Sequence, residues 1–271
     1  MKSACEVQLS PNGNGALFQA IQNNATVKKV IQSTTYVQVI GVDNVMNKLL
    51  DPMHIGFTAT RGLEASLKCC VKRSPDEKVG LVLVKNGKYD IVEYSEIPVE
   101  MTEKEADDGS LYYELGNILM FMLSSEKLLS LCSDTKTLNS LYHTAHKKIE
   151  VYNPDTGVAE KPDTENGYKF ELFIHDFLPF CKEGKFGAMK VSREDEFGPV
   201  KNANGKDGQM VNDSPASARG LLLAQHAKWV AAALNEQGLP ENEDKVELDL
   251  LATYEGEGER LKQIVKDMQI P

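Results

Sequence analysis

The run Thr35-Tyr-Val-Gln-Val-Ile-Gly-Val-Asp-Asn44 constrains this chain more than any other stretch. Its Val, Ile and Tyr content, between two segments with helical patterning, predicts a buried parallel strand. Ligands in open α/β sheets sit at the carboxyl ends of such strands, and this one stops on two oxygen-bearing side chains. Asp43 is therefore the first residue with a candidate role. Its other reading is as the cap of a following helix over 45–50.

A chain of 271 residues, 41% hydrophobic and 26% charged, can bury one sizeable α/β core with appendages. Thirty Lys and Arg against forty Asp and Glu argue against a nucleic-acid surface, which needs clustered cations. Small anionic ligands need only a few local cations and remain open. Cys5, Cys69, Cys70, Cys132 and Cys181 lack zinc-type spacing. With no signal-like or long apolar run, they are expected to be reduced thiols of a cytoplasmic protein that binds neither nucleic acid nor membrane.

Along the chain, Pro11-Asn-Gly-Asn-Gly-Ala16 is a turn feeding a helix, a form that brings a ligand close to backbone N–H groups or serves as loop punctuation. A short helix is predicted to finish at Asp51, and another to start near Arg61. Leu67–Val71 and Val79–Val84 are predicted strands. Lys85-Asn-Gly-Lys88 joins the second to Tyr89–Tyr94 as an Asn-Gly hairpin. Glu93 and Glu96 at its end suit a sugar hydroxyl or a metal, or form an exposed acidic tip.

Asn117, in a Gly-Asn pair before the apolar run Ile118–Leu123, offers an amide to a ligand or caps a helix. Thr137–Lys148 has helical spacing, and His143 and His146 within it, three apart with no acidic or Cys partner nearby, are expected to be surface histidines rather than a metal site. Residues 149–157 form another hairpin, and Phe170, Phe173, Phe177 and Phe180 stand at helical intervals as core. Lys169 and His175 lie beside that stripe. Residues 189–203 pack an Arg, three acids and two Lys around a Gly-Pro break, so their charges belong to a shaped loop. Residues 216–237 are a long helix with Ala224, Ala227, Val230, Ala231 and Leu234 inward. A strand over 246–253 and a last helix end the chain.

The ordered set Ser-Pro-Asn-Gly-Asn-Gly, Val-Asp-Asn, Val-Glu-Tyr-Ser-Glu, Gly-Asn, Arg-Glu-Asp-Glu-Phe-Gly-Pro-Val-Lys-Asn-Ala and Tyr-Glu-Gly-Glu-Gly resembles the eukaryotic UDP-N-acetylglucosamine (UDP-N-acetylhexosamine) pyrophosphorylases. The resemblance covers nearly the whole chain. It implies an α/β, Rossmann-like nucleotidyltransferase core with a mixed, mainly parallel sheet and hairpin appendages. Residues 1–235 would form the catalytic domain, and 236–271 would open a C-terminal extension. The implied reaction joins UTP and N-acetylglucosamine 1-phosphate with Mg²⁺, giving UDP-N-acetylglucosamine and pyrophosphate in amino sugar metabolism.

Position by position, the resemblance makes Gly13 and Asn14 a uridine- and sugar-side loop and Asp43 the strand-end carboxylate beside phosphates and metal. Gly80 becomes a glycine that lets the sugar approach, Glu93 and Tyr94 the sugar-binding pair, and Asn117 the amide facing the N-acetyl group. Phe173 belongs to the sugar pocket, while Lys169 and Lys201 meet phosphate oxygens. Lys201 and Asp43 are the implied catalytic groups.

The chain departs from the family's pattern in three places. Only ten residues precede Pro11 here, so the upstream Gly-rich loop that the resemblance implies as the triphosphate cradle, and its strand, are expected to be missing from this sequence. His175 stands near the acetyl group where the family has an aromatic residue, and Ala16 replaces a glycine. The expectation is an N-terminally truncated, sugar-side part of such an enzyme, incomplete for catalysis on its own. Two alternatives stand beside it: a pyrophosphorylase for another UDP-hexose, and a non-catalytic UDP-sugar-binding remnant.

Overall fold

A computed structural model of the chain describes residues 2–94, 96–134, 141–206 and 209–236. The predicted strand over 246–253 and the last helix lie outside the described residues. So does nearly all of the expected extension from 236.

The fold is built on β5 (Leu115–Ser124), an apolar strand at the centre of a mixed sheet that has six strands among the described residues. One edge of β5 pairs along its length with β2 (Ala65–Val71), and β10 (Phe186–Lys190) lies parallel on the far side of β2. The other edge of β5 is shared end to end. β1 (Tyr36–Ile40) pairs antiparallel with its second half, from Ile40 opposite Met120 to Tyr36 opposite Ser124. β3 (Leu81–Lys85) takes over at the other end, with Leu81 opposite Gly116, and turns back as β4 (Lys88–Val92). β1 is thus not the buried parallel strand expected: its one partner among the described residues is antiparallel, and all five of its residues are half-buried. The β2–β10 pair alone among these is parallel, so the sheet is mixed as expected but mainly antiparallel among the described residues, not mainly parallel. β-branched content recorded that 36–40 is a strand, but partner direction is a tertiary choice that propensity does not carry.

The Asn86-Gly87 hairpin forms as predicted, both residues having positive φ (52° and 77°), which a tight hairpin turn requires. β2 is buried on both faces. Ala65, Leu67 and Cys69 point into the main core with Phe121, Leu123 and Phe177, whereas Ser66 and Lys68 point to the opposite face. Helices α1 (Leu17–Gln22) and α2 (Ala25–Gln32), the latter capped by Asn24 Oδ1 on Val27 N, cover the core side.

α3 (Pro52–Thr60) corrects both helix predictions in this region. Residues 45–50 are turns, and the helix runs where only a lead-in to Arg61 was expected. Its start is an N-cap Asp51, whose Oδ1 accepts from Met53 N, followed by Pro52 in the first turn.

A two-stranded ribbon forms from β6 (His143–Lys147) and β9 (Gly167–Glu171), a smaller one from β7 (Val151–Asn153) and β8 (Val158–Glu160). β6 replaces the helix predicted across 137–148; residues 137–140 lie outside the described residues. The aromatic stripe is likewise no helix. Phe170 is exposed on β9, and a 3-10 helix covers Ile174–Phe180, so Phe177 is its one fully buried member.

Beyond β10 come α4 (Arg193–Glu196) and the long helix α5 (Pro215–Glu236), where Ala224 and Ala227 face outward and Gln225, His226, Ala233 and Leu234 inward. Among the described residues, no helix is long and apolar enough to cross a membrane.

Candidate functional site

The site grows from the place where β5 changes neighbours. Between Lys68–Met120 and Cys69–Asn117 the β2–β5 register skips Ile118 and Leu119, a bulge that gives Leu119 a positive φ of 54°. On its free side the bulge is tied to both strands that share the edge. Gly41 N donates to Leu119 O (2.9 Å), and Asn117 N donates to Gly80 O (2.8 Å). Asn117 Oδ1 accepts from Leu119 N (3.0 Å), so this side chain caps the bulge rather than a helix, and Nδ2 makes no hydrogen bond among the described residues. A gap therefore opens between the end of β1 and the start of β3, floored by the Asn117 segment.

Glu93, at the end of β4, overhangs the β3 side. A methyl group on Gly80 would lie 3.4 Å from Glu93 Oε1 and 2.9 Å from Ile91 Cγ2, so glycine keeps this wall low. Burial raises the Glu93 pKa and Glu96 adds to that, while His143 and Lys201 oppose it. Glu93 Oε1 stands 3.8 Å from His175 Nδ1, too far for a hydrogen bond. That buried nitrogen has no partner among the described residues, and burial pushes His175 down to about 4, so the ring is neutral at pH 7. A hydroxyl or amide of a ligand would satisfy it.

The Phe173 ring stacks on His175 at 5.2 Å and 16°. Asn14 Oδ1 accepts from Ile174 N (2.8 Å), Gly15 N donates to Leu172 O (2.8 Å) and Leu172 N to Asn12 O (2.7 Å), which sews the Gly13–Asn14 turn to the aromatic segment. Gly13 has φ 84°, and any Cβ there would strike the Leu172 backbone.

On the β1 side, Asp43 is exposed and its carbonyl accepts from Val200 N (2.9 Å), placing Lys201 next to it. Lys201 Nζ reaches across to Lys78 O (3.2 Å), just ahead of Gly80. Asp43, Gly80, Glu93, Asn117, Lys201, His175, Phe173, Gly13 and Asn14 are thus linked in one chain of contacts around the gap. Lys169 and Tyr94 are not drawn into it: Lys169 Nζ pairs with Glu171 (2.7 Å) on β9, and Tyr94 is exposed.

Among the described residues no group of three or more His, Cys, Asp and Glu is placed to hold a metal. Asp43 offers a single exposed carboxylate, which suits Mg²⁺ bound mainly by substrate phosphates and water.

Three features escaped the sequence reading. Asn44 is buried and uses its whole amide: Nδ2 donates to Glu196 O (2.8 Å) and Asn47 Oδ1 (3.0 Å), and Oδ1 accepts from Gly198 N (2.8 Å) and Met46 N (3.1 Å). This amide joins the Asp43 segment to the Lys201 segment. Beneath them Lys68, fully buried in β2, donates to Asp51 and Glu196, with His54, Ser66 and Thr58 hydrogen-bonded alongside. A lysine inside a strand of mostly apolar residues was the available signal. His143, read as a surface residue, lies against Phe173 at 4.6 Å.

A cavity of about 580 Å³ opens at the carboxyl ends of β2 and β10, beside Lys72, Arg73, Lys190 and Arg193. It contains none of the predicted site residues, and three of its four cations already pair, Arg193 with Glu77, Arg73 with Asp213 (2.6 Å) and Lys190 with Glu114 (2.7 Å), while Lys72 Nζ donates to Pro75 O (2.9 Å).

Residues 1–257 match the family described as UTP–glucose-1-phosphate uridylyltransferase. The chain is 34% identical over 287 aligned positions to UDP-N-acetylhexosamine pyrophosphorylase-like protein 1 of Xenopus tropicalis, an alignment covering 100% of this chain and 54% of that protein. It is 36% identical to the UDP-N-acetylglucosamine pyrophosphorylase of Saccharomyces cerevisiae, covering 95% and 52%. The crystal structure of the uridine diphosphate N-acetylglucosamine pyrophosphorylase of Trypanosoma brucei, in complex with an inhibitor, superposes with a TM-score of 0.78 at 29% identity, covering 95% of this chain and 52% of that one. The chain spans about half the length of the curated relatives it matches.

Proposed function

Since the chain belongs to the UTP–glucose-1-phosphate uridylyltransferase family, we propose that it forms the sugar-binding side of an enzyme that makes UDP-N-acetylglucosamine and pyrophosphate from UTP and N-acetylglucosamine 1-phosphate. In that reaction a phosphate oxygen of the sugar phosphate attacks the α-phosphorus of UTP. The new P–O bond forms as the bond to the β-phosphate breaks, and the electron pair leaves with pyrophosphate. No covalent nucleophile on the protein is needed, only alignment and charge compensation.

The single observation that carries this reading is the gap along β5, around which Asp43, Gly80, Glu93, Asn117 and Lys201 converge from four separate segments. Glu93 and the free Nδ2 of Asn117 suit a sugar hydroxyl and the N-acetyl carbonyl. The orphaned His175 Nδ1 suits a further polar group of the sugar. Lys201, exposed and bridging the two sides, suits the phosphates. Asp43 would share Mg²⁺ with the phosphate oxygens, the ion offsetting negative charge on the leaving pyrophosphate.

Calorimetric titration of the 271-residue chain with UDP-N-acetylglucosamine tests the reading. Saturable binding, weakened on the order of 10- to 100-fold by Glu93→Gln, is the expected result. Equal affinity for UDP-glucose would move the assignment to another UDP-hexose, for which the unusual His175 is the specific reason. Absence of binding to either would reject it.

A further inference from the structure

Resting on that reading of the site, we propose that His143 is a positioning residue of the sugar pocket: as an imidazolium it clamps Glu96 to Asp176 across the Phe173 ring, and affinity for the UDP-sugar falls when the ring loses its proton.

Three segments distant in sequence meet at this ring. Nε2 lies 2.9 Å from Asp176 Oδ1, on the 3-10 helix that also holds His175, and Nδ1 lies 3.3 Å from Glu96 Oε1, on the turn after Glu93. A neutral imidazole has one N–H and one lone pair, so it can satisfy only one carboxylate. Facing two, the ring donates from both nitrogens and carries a positive charge. Its ring packs tilted by 43° against Phe173 at 4.6 Å, and Phe173 in turn stacks on His175 at 5.2 Å, giving a His–Phe–His row. The clamp therefore fixes the middle ring of the row and, through Asp176 Oδ2 accepting from Phe173 N (3.1 Å), its backbone as well.

The charges facing His143 are balanced for such a switch. Glu96 and Asp176 contact it; Glu93 interacts with it at longer range and is itself drawn by Lys201. Glu171, opposite it in the β6–β9 register, is neutralised by Lys169, and His175 is neutral. Burial opposes the charge on His143, but Asp176 and then Glu96 outweigh it and hold the proton above the ordinary histidine range. Proton loss leaves Asp176, already raised by its own burial, facing an imidazole with one donor fewer.

The sign of the effect separates this residue from Glu93. Protonating Glu93 would weaken binding as pH falls, whereas deprotonating His143 weakens it as pH rises. The experiment is calorimetry with UDP-N-acetylglucosamine on the 271-residue chain from about pH 6 to about pH 8.5, a window that spans histidine titration. Wild type should lose about tenfold in affinity across it, the size of a charge-assisted hydrogen bond. His143→Gln should start weaker and show no slope. Asp176→Asn should move the transition to lower pH, and the His143 ring titration followed by NMR without ligand should move with it. Measurable binding with a flat wild-type profile, or a slope kept by His143→Gln, overturns the proposal and leaves the functional reading standing. Absence of binding at every pH overturns both.

Discussion

Lys68→Met probes the most demanding electrostatic arrangement in the fold. Lys68 is 0% exposed and its ammonium serves two carboxylates, Asp51 and Glu196, themselves 7% and 6% exposed. Methionine fills a similar volume, so the packing loss is small, but two buried acids lose their shared counter-charge; Lys48, 3.6 Å from Glu196 and acting on Asp51 at longer range, offsets that loss only in part. Breaking a buried ion pair by removing one partner costs about 3–5 kcal/mol. That is a large part of the roughly 5–15 kcal/mol by which domains are stable, and corresponds to a fall in Tm on the order of 10 °C at this chain length.

The dependence on pH makes this prediction specific. In wild type, burial raises the Asp51 pKa, but its hydrogen bond and attraction to Lys68 win and hold it below the ordinary value. Its contribution is present above that ordinary value and is lost as pH falls through the folded one. In the variant Asp51 keeps its burial but loses Lys68, so it holds a proton more tightly folded than unfolded, and acidification recovers up to about 1.4 kcal/mol per pH unit. Urea denaturation of both proteins should therefore show stability curves that converge on moving from neutral toward pH 5. A neutral-pH loss below about 1 kcal/mol, or a gap that ignores pH, would refute the reasoning. Restoring most of the loss with the triple variant that also carries Asp51→Asn and Glu196→Gln would support it.

Two further outcomes are expected. His54 and His175, 0% and 2% exposed, are each pushed by burial from 6.5 down to about 4, so the unfolded chain binds more protons between those values. Each should remove up to about 3 kcal/mol of stability as pH falls through that window, read as a falling urea midpoint; a midpoint unchanged between neutral pH and pH 4.5 counts against it. Gly13→Ala combines a φ of 84° with a methyl group directed at the Leu172 backbone, and should cost about 2 kcal/mol and weaken UDP-N-acetylglucosamine binding. Gly157→Ala, at φ 73° with open space around it, should cost less and leave binding alone; equal effects from the two would remove the case for a packed ligand-side turn.

The elements with local physical signatures were readable from the chain. Asn86-Gly87 forced the hairpin, and the apolar run at Leu67–Val71 marked β2, because turn chemistry and β-propensity act over a few residues. The ordered motifs likewise singled out Asp43, Glu93, Asn117 and Lys201, which the fold draws to one gap. What misled was periodicity without its partner. The spacing of Leu138, Leu141 and Ala145 fits a helix, yet residues 143–147 pair with β9, and the phenylalanine stripe is divided between a strand and a 3-10 helix. Asp51-Pro52 is a helix start written in the chain itself, a capping carboxylate followed by a first-turn proline, and it outweighs the pattern at 45–50. Asn44, Lys68 and His143 could not be assigned in advance, because each owes its role to residues at least 33 positions away, Glu196 for the first two and Asp176 for the third.

An edge shared end to end has a mechanical consequence. No ladder of backbone hydrogen bonds joins β1 to β3 directly among the described residues; each is held by its own half of β5. Either strand can tilt about that common rail without pulling on its tandem neighbour. The spacing between the Asp43 bank and the Glu93 bank is thereby a soft coordinate, bridged by the long Lys201 side chain, in a sheet whose centre is rigidly packed on both faces.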